Sequence, residues 1–202
     1  MRSLALGMLL AASASCGRSN AGSGTVIGAI HGQPFTAVDA IAGNRISIPD
    51  TYAEIVVADR AGICAAASGP WAAKGSHYLR FFLADVDMSN QSSRKAPVSP
   101  GVYTANTSAG GAYSAHIAIV EARTSDENCI TVLAQSSLHS TGTVTLTRVD
   151  NGSYAGTFDL TMDSGDRFTG SFDAPDCPAI AGTSDGGGCG LQGLEGPYSV
   201  PR

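Results

Sequence analysis

The chain has 202 residues, with 12 Lys and Arg against 17 Asp and Glu and a net charge of −5. This acidic balance argues against nucleic acid or an anionic lipid surface as a partner, because both attract clustered cations. The length suffices for one domain with its own core, and the abundance of Ala, Gly, Ser and Thr with few charges favours β-structure over helix.

The first 16 residues have the layout of an export signal. Arg2 precedes an apolar run, and small residues lead to Cys16. The run is shorter than the roughly 20 apolar residues that span a bilayer. The segment resembles the signal sequences of bacterial lipoproteins, in which such a Cys carries diacylglycerol and becomes the new N-terminus after cleavage. Here Ser13 replaces the usual Leu of that motif.

The resemblance implies lipidation of Cys16, cleavage after residue 15 and a membrane-anchored location in the cell envelope. Because Gly17 rather than Asp follows the Cys, it implies the outer membrane in preference to the inner one. The alternative is a secreted protein whose signal is cut after Ala14, since residues 12–14 also fit the A-x-A rule. Loss of Arg2 with the signal would change the net charge to about −6.

The remaining cysteines are an even set, as expected in an oxidising compartment where disulfides persist. They are Cys64, Cys129, Cys177 and Cys189. Four cysteines allow three connectivities, and the closeness of Cys177 and Cys189 around a Gly-rich segment favours Cys177–Cys189 with Cys64–Cys129. No C-x-x-C spacing or nearby His indicates a structural zinc site.

Residues 16–24 have the composition of a flexible tether, and a series of strands follows. Predicted strands are Thr25–His31 with its return partner Pro34–Ala42 across a Gly32-Gln33 turn, then Glu54–Asp59, His77–Val86, Gly101–Asn106, Ala112–Ala122 and Ile130–Gln135. Cys64–Ser68 has helix propensity for one or two turns, and Ser89–Pro100 is predicted to be a loop.

A three-stranded meander is predicted between residues 140 and 174, where three Gly-initiated segments recur with turns at 150–152 and 164–166. Alternation predicts one buried and one wet face. The buried side chains would be Val144, Leu146, Phe158, Leu160, Met162, Phe168 and Phe172; the wet ones would be Thr143, Thr145, Thr157, Asp159, Thr161, Thr169 and Asp173.

Three-residue loops keep apolar residues opposite one another, and on that basis we expect Val144, Phe158 and Phe172 to form one row across the meander. The same register pairs Met162 with Phe168 and Leu160 with Gly170.

About nine or ten short strands predict an all-β fold, either an antiparallel β-sandwich or a flattened barrel. The expected organisation is a signal over 1–15, a tether over 16–24, the domain over 25–176 and a Gly-rich tail over 177–202. The motifs Gly156-Thr-Phe-Asp-Leu-Thr and Gly170-Ser-Phe-Asp-Ala-Pro-x-Cys resemble those of uncharacterised small β-rich bacterial lipoproteins. That resemblance implies no known activity.

Candidate chemistry is sparse. Ser184 lies in a G-x-S-x-G pattern, but Pro residues before it and a Gly run after it do not provide the strand and helix of a nucleophile elbow. The spacing of Asp85 and Asp87 matches the start of a calcium-binding loop, but the Gly and the bidentate Glu that such a loop requires are missing. They are therefore weak metal candidates. The default interpretation is that they lie where a strand leads into a solvated loop. We expect no cofactor.

The histidines are spread through the chain without a ligand-pair spacing, and each is expected at a turn or on the sheet surface. They are His31, His77, His116 and His139. A His-based catalytic site could form only through the fold, for example from His116 and Asp159. Trp71, with Tyr78, could stack on a sugar ring, although a Trp that seals one end of a sandwich is the commoner case.

These features favour a non-catalytic, membrane-anchored envelope lipoprotein whose β-sandwich serves binding or assembly. The alternative is a periplasmic or surface protein that binds a small ligand, sugar or lipid. A secreted hydrolase is disfavoured because the sequence offers no convincing nucleophile and base.

Overall fold

The computed structural model describes residues 22–47, 50–67, 75–87, 93–106, 115–128 and 132–181. The predicted signal, Cys16 and the residues from 182 onward, with Ser184 and Cys189, lie outside these ranges, as do Trp71 and Cys129. The strands are β1 (Ser23–Ile27), β2 (Ala29–Ile30), β3 (Gln33–Pro34), β4 (Asp39–Ser47), β5 (Asp50–Ala58), β6 (His77–Val86), β7 (Arg94–Lys95), β8 (Gly101–Asn106), β9 (His116–Thr124), β10 (Ser140–Asp150), β11 (Ser153–Met162) and β12 (Arg167–Ala174). Two short helices, α1 (Ile63–Ala67) and α2 (Pro178–Ala181), and a 3-10 turn (Leu133–Gln135) complete the elements.

Most strands belong to one mixed sheet in the order β1-β12-β11-β10-β8-β9-β6-β5-β4, with β7 added beside β6. The pairs along this order are antiparallel except β8 with β9. The sheet rolls up because β4 meets the chain that follows β12. Ala42 donates its N–H to the carbonyl of Pro175 at 2.9 Å and accepts from the N–H of Cys177 at 2.6 Å. The result is an all-β, nearly closed, flattened barrel, as the sequence predicts, except that the parallel pair β8 and β9 departs from the predicted antiparallel arrangement.

Aromatic rings fill the centre of this barrel. The ring of Phe81 on β6 lies 5.2 Å from that of Phe158 on β11 and 5.6 Å from that of Phe172 on β12, and the last two are 6.5 Å apart. Alternating residues of each strand supply the rest of the interior. Such close packing of large apolar side chains is the main source of stability in a domain of this size.

A second apolar cluster lies on the outer face of β4, β5 and β6, where α1 and α2 cover it. It contains Ile41, Val56, Tyr78 and Ile180. These strands therefore bury both faces, which explains why β5 lacks the alternation of a half-exposed strand. No helix among the described residues is long and apolar enough to cross a membrane.

One disulfide joins this outer layer, between Cys64 in α1 and Cys177 just before α2. Both predicted pairings, Cys177–Cys189 and Cys64–Cys129, are therefore wrong. Rolling of the sheet places the residue that follows β12 beside β4, and α1 lies over the same strands, so the two Cα atoms are 5.7 Å apart despite a separation of 113 residues. Closeness in sequence was a poor guide because the barrel closes between distant segments.

The meander forms with the predicted faces. The seven side chains predicted to be buried are buried, and those predicted to be wet are exposed or half-buried. Val144 pairs with Phe158, as predicted. The turn that joins β10 to β11 has two residues, Asn151 and Gly152, instead of the predicted three, and both have positive φ, 45° and 87°. A bulge between Leu146 and Arg148 compensates for the shorter turn, so the predicted pairing is kept.

The second register is shifted by two residues from the prediction. Phe158 lies opposite Gly170, not Phe172, and Leu160 lies opposite Phe168. The loop has three residues, but they are 163–165, because the pair that closes the turn is Met162 with Asp166. Gly165 has a φ of 85° and occupies the last loop position, where a three-residue hairpin requires a left-handed residue.

The N-terminal region also differs from the prediction. Strand β1 pairs with β12, and only the two-residue strands β2 and β3 form a hairpin, turning at His31 and Gly32. The described part of the predicted strand Ile130–Gln135 is a 3-10 turn, so that strand is wrong.

The predicted loop Ser89–Pro100 contains the two-residue strand β7, which pairs with β6. Other elements agree better with the prediction. Strands β6 and β8 have the predicted bounds, β5 and β9 overlap theirs, and α1 is the expected short helix. Strand β1 begins at Ser23, within the predicted tether, and α2 packs on β4, within the predicted tail.

Candidate functional site

One end of the barrel interior is polar. Five side chains, Asn44, Asp85, Tyr103, His116 and Tyr154, meet there, and we call them the barrel-end cluster. They come from β4, β6, β8, β9 and β11, which are far apart in sequence. The cluster is therefore a product of the fold.

Strand alternation explains why these groups point into the barrel. Asp85 is two residues beyond Leu83, which belongs to the interior core. His116 is the register partner of Asp85 and stands two residues before Ala118, which also faces the core. Because alternate residues share a face, both polar side chains lie on the interior face where their strands reach the barrel end.

The carboxylate of Asp85 organises one side of the cluster. Its Oδ1 accepts a hydrogen bond from the phenol of Tyr103 at 2.9 Å and lies 2.8 Å from Nδ1 of His116. The rings of Tyr103 and His116 meet edge to face, with centroids 5.1 Å apart. On the other side, the phenol of Tyr154 donates to Oδ1 of Asn44 at 2.6 Å.

Both phenols are held in the neutral form. Burial, followed by the hydrogen bond to Asp85 and its charge, raises the pKa of Tyr103. Burial, followed by the charges of Asp176 and Asp85, raises the pKa of Tyr154 to about 12. Each tyrosine therefore acts as a hydrogen-bond donor at neutral pH.

The cluster has a buried and an accessible layer. Tyr103 and Tyr154 are buried, whereas the side chains of Asp85 and His116 are 28% and 44% exposed and Asn44 is exposed. A carboxylate, an imidazole and an amide thus lie over two phenols. Together they offer both donors and acceptors to a polar group, and an aspartate on Nδ1 also orients the imidazole ring.

The predicted sugar-binding pair is not supported by the position of Tyr78. Its side chain is only 4% exposed and belongs to the outer apolar cluster beneath the helices, so it offers no stacking surface. Trp71, its proposed companion, lies outside the described residues.

The weak calcium candidates diverge. Asp85 points into the barrel end and is engaged by Tyr103 and His116, while Asp87 is exposed after β6 and its N–H donates to the carbonyl of Ser93. Within the described ranges, no three His, Cys, Asp or Glu side chains converge in a way that could hold a metal ion.

Three of the four histidines pair with an aspartate through Nδ1. Besides His116, His77 lies 2.9 Å from Asp59 and His139 lies 3.1 Å from Asp163. The combination of His116 with Asp159, given above as an example of a catalytic site assembled by the fold, does not form. Asp159 is on the wet face of β11, where it accepts hydrogen bonds from Arg167.

The structure contains a cluster of buried charged side chains that the sequence patterns did not predict. Glu54, Arg80, Glu121 and Arg123 are buried on the outer face of β5, β6 and β9, and Arg45 extends this group, which we call the outer ion-pair cluster. The available signal was the presence of charged residues within largely apolar strands, one in the middle of β5 and of β6 and two in β9. Such a charge demands a partner, since an unpaired buried charge is very costly.

Comparisons of the chain with protein-family models, with curated proteins and with solved structures found no match. The functional conclusions below therefore depend on the residues and geometry of this chain.

Proposed function

We propose that this protein is a membrane-anchored envelope lipoprotein, held through lipid on Cys16, whose barrel is a non-catalytic binding domain. The observation that carries the proposal is the Cys64–Cys177 disulfide, which joins elements 113 residues apart and fits an oxidising compartment. The export-type segment that ends at Cys16 supports the same location.

The barrel end is the proposed binding surface. The filled centre of the barrel supports recognition at its rim over uptake of a lipid into its interior, because the three Phe rings occupy that space. The accessible layer of the barrel-end cluster supplies an Asp carboxylate, an imidazole and an amide. A few convergent polar groups over an apolar and aromatic floor are typical of sites for small polar ligands.

The anchor is tested by fractionation of cells that express the wild type or Cys16→Ser. The wild type should sediment with membranes and resist a high-salt wash, because an acylated cysteine carries more than one chain and stable attachment takes about two such signals. The variant should be recovered in the soluble fraction. Membrane attachment of Cys16→Ser after the salt wash would refute the lipid anchor.

The second candidate, a sugar-binding protein, is favoured by the hydrogen-bonding set at the barrel end. Titration with neutral and acidic oligosaccharides should reveal a ligand whose affinity falls at least about tenfold, or about 1.4 kcal/mol, in Asp85→Asn. Asp159→Asn is the matched control, because Asp159 is an aspartate on the wet face that pairs with Arg167. Equal affinity of both variants for every ligand that binds would exclude the barrel end as the site.

The binding proposal also predicts what will not be found. If the Asp85–His116 pair were an acid–base catalyst, a hydrolytic activity would be present and would disappear in His116→Gln. We expect the purified protein to show no such His116-dependent hydrolysis of ester or glycoside substrates. Detection of this activity would replace the binding proposal with an enzymatic one.

A further inference from the structure

The outer ion-pair cluster contains a guanidinium that the fold only partly satisfies. Arg80, in the middle of β6, is 0% exposed, and its Nε donates to Oε1 of Glu54 at 2.7 Å. The guanidinium carbon lies 4.3 Å from the centroid of the Phe82 ring. Both terminal nitrogens, Nη1 and Nη2, are buried and have no hydrogen-bond acceptor among the described groups.

Buried polar groups are almost always hydrogen-bonded, and a buried charge needs a partner even more strongly. The guanidinium presents its N–H groups in a planar fork that matches the two oxygens of a carboxylate or phosphate. The Nε edge of Arg80 is used by Glu54, and the Nη edge retains this recognition geometry. The unsatisfied edge therefore indicates an oxyanion as its natural complement.

The charges around Arg80 favour the same ligand. Glu54 is already bonded to Arg80 and contacts Arg45 at 3.5 Å, and Glu121 accepts from Nε of Arg123 at 2.9 Å. Asp39, a further buried acid of β4 on this face, accepts hydrogen bonds from the N–H groups of Gly62 and Ile63, and within the outer ion-pair cluster three arginines against two glutamates leave one excess positive charge. An additional monoanion would balance it.

Strand register places a second cation on the same face as Arg80. Arg80 lies opposite Glu121 on β9, and Arg123 is two residues further along the same face of that strand. Arg80 and Arg123 are thus diagonal neighbours on one face of the β6–β9 pair. Two guanidinium groups at such a spacing can both contact one small anion.

We propose that Arg80 and Arg123 form a binding site for a small oxyanion, a carboxylate or a phosphate, on the outer face of β6 and β9. This site is separate from the barrel-end cluster, since strand alternation puts it on the opposite face of the sheet. Because Arg80 is fully buried, we expect anion binding there to be saturable and slow to exchange.

The test is a titration of the purified full-length mature protein with sodium phosphate and, separately, sodium acetate. Sodium chloride at the same ionic strength is the reference. The measured quantities are the thermal unfolding midpoint and the ¹⁵N–¹H NMR signal of the Arg80 Nε–H. We expect a saturable rise of the midpoint with at least one oxyanion and a concurrent shift of the Arg80 signal.

Arg123→Gln should weaken this binding at least tenfold while leaving the Arg80–Glu54 ion pair in place. Arg148→Gln and Arg167→Gln are the matched controls, because both remove an arginine that pairs with an aspartate on the exposed face. They should bind within twofold of the wild type. Saturation by phosphate alone would identify a tetrahedral anion as the ligand, and saturation by acetate alone a carboxylate.

The proposal is overturned if neither anion stabilises the protein beyond chloride, or if the Arg80 signal does not move at saturation. It is equally overturned if Arg123→Gln binds like the wild type, or if a control variant abolishes binding and so locates the anion on the exposed face. The wild-type NMR titration decides the question even if Arg123→Gln fails to fold. None of these results depends on the lipid anchor or on the barrel end.

Discussion

Removal of the Cys64–Cys177 bond should be among the most damaging changes to this protein. In the chain-entropy treatment, a cross-link stabilises by restricting the unfolded chain, and the effect grows with the logarithm of the loop. For the separation of 113 residues here, that relation gives about 5 kcal/mol at 25 °C. This is a large part of the roughly 5–15 kcal/mol by which a domain is stable.

Urea unfolding of the wild type, both single Ala variants and Cys64→Ala/Cys177→Ala measures the effect. Either single substitution breaks the bond, so the double variant should lose about 3–5 kcal/mol and little more than Cys64→Ala alone. The remaining difference reports the packing of Cys177, which is fully buried. A loss below about 1 kcal/mol in the double variant, or losses that simply add, would refute the view that this bond restricts a large loop.

Three further predictions concern the barrel interior. Phe158→Ala should lower the free energy of unfolding in urea by about 3–5 kcal/mol, because Phe158 is buried between two rings. The control Thr157→Ala, on the wet face, should lower it by less than about 1 kcal/mol. Equal losses would contradict a single wet face. Gly170→Ala should cost at least about 1–3 kcal/mol, since its added Cβ would contact a carbonyl of β1 and lie 2.7 Å from Cζ of Phe158; a neutral effect would show that β1 is not held against β12. The free energy of unfolding should fall between pH 10 and about 12, by up to about 1.4 kcal/mol per pH unit for each tyrosine, because Tyr103 and Tyr154 lose their protons at lower pH in the unfolded chain than in the folded one. An unchanged alkaline slope in the Tyr103→Phe/Tyr154→Phe variant would contradict that cause.

Local patterns were sufficient for much of the fold. Strand β6 and strand β8 were predicted with their observed ends, because each is a short β-prone run bounded by turn residues. The pairing of Val144 with Phe158 was also predictable from alternation. The adjacent register was missed by two residues because both alternatives keep apolar residues on one face, and only the left-handed conformation of Gly165 distinguishes them.

The two clusters were beyond the reach of local patterns. Asp85 and His116 are 31 residues apart, and Asn44 and Tyr154 are 110 apart. No periodicity links such residues, since their contact depends on which strands become neighbours. An isolated charge within an apolar strand was a weak signal that Arg80 has a buried ion-pair partner. The sequence did not indicate that this partner is Glu54.

The sequence by itself determined the all-β class, the faces of the C-terminal meander and most strand positions, because these follow from side-chain alternation and turn chemistry within a few residues. Tertiary structure alone decided the strand order, the Cys64–Cys177 bond, the barrel-end cluster and the burial of Arg80. The Cys64–Cys177 bond and the contact of Asn44 with Tyr154 depend on closure of the sheet, in which Ala42 pairs with the chain that follows β12. Closure is a balance of many weak long-range contacts, and no short segment of the chain encodes it.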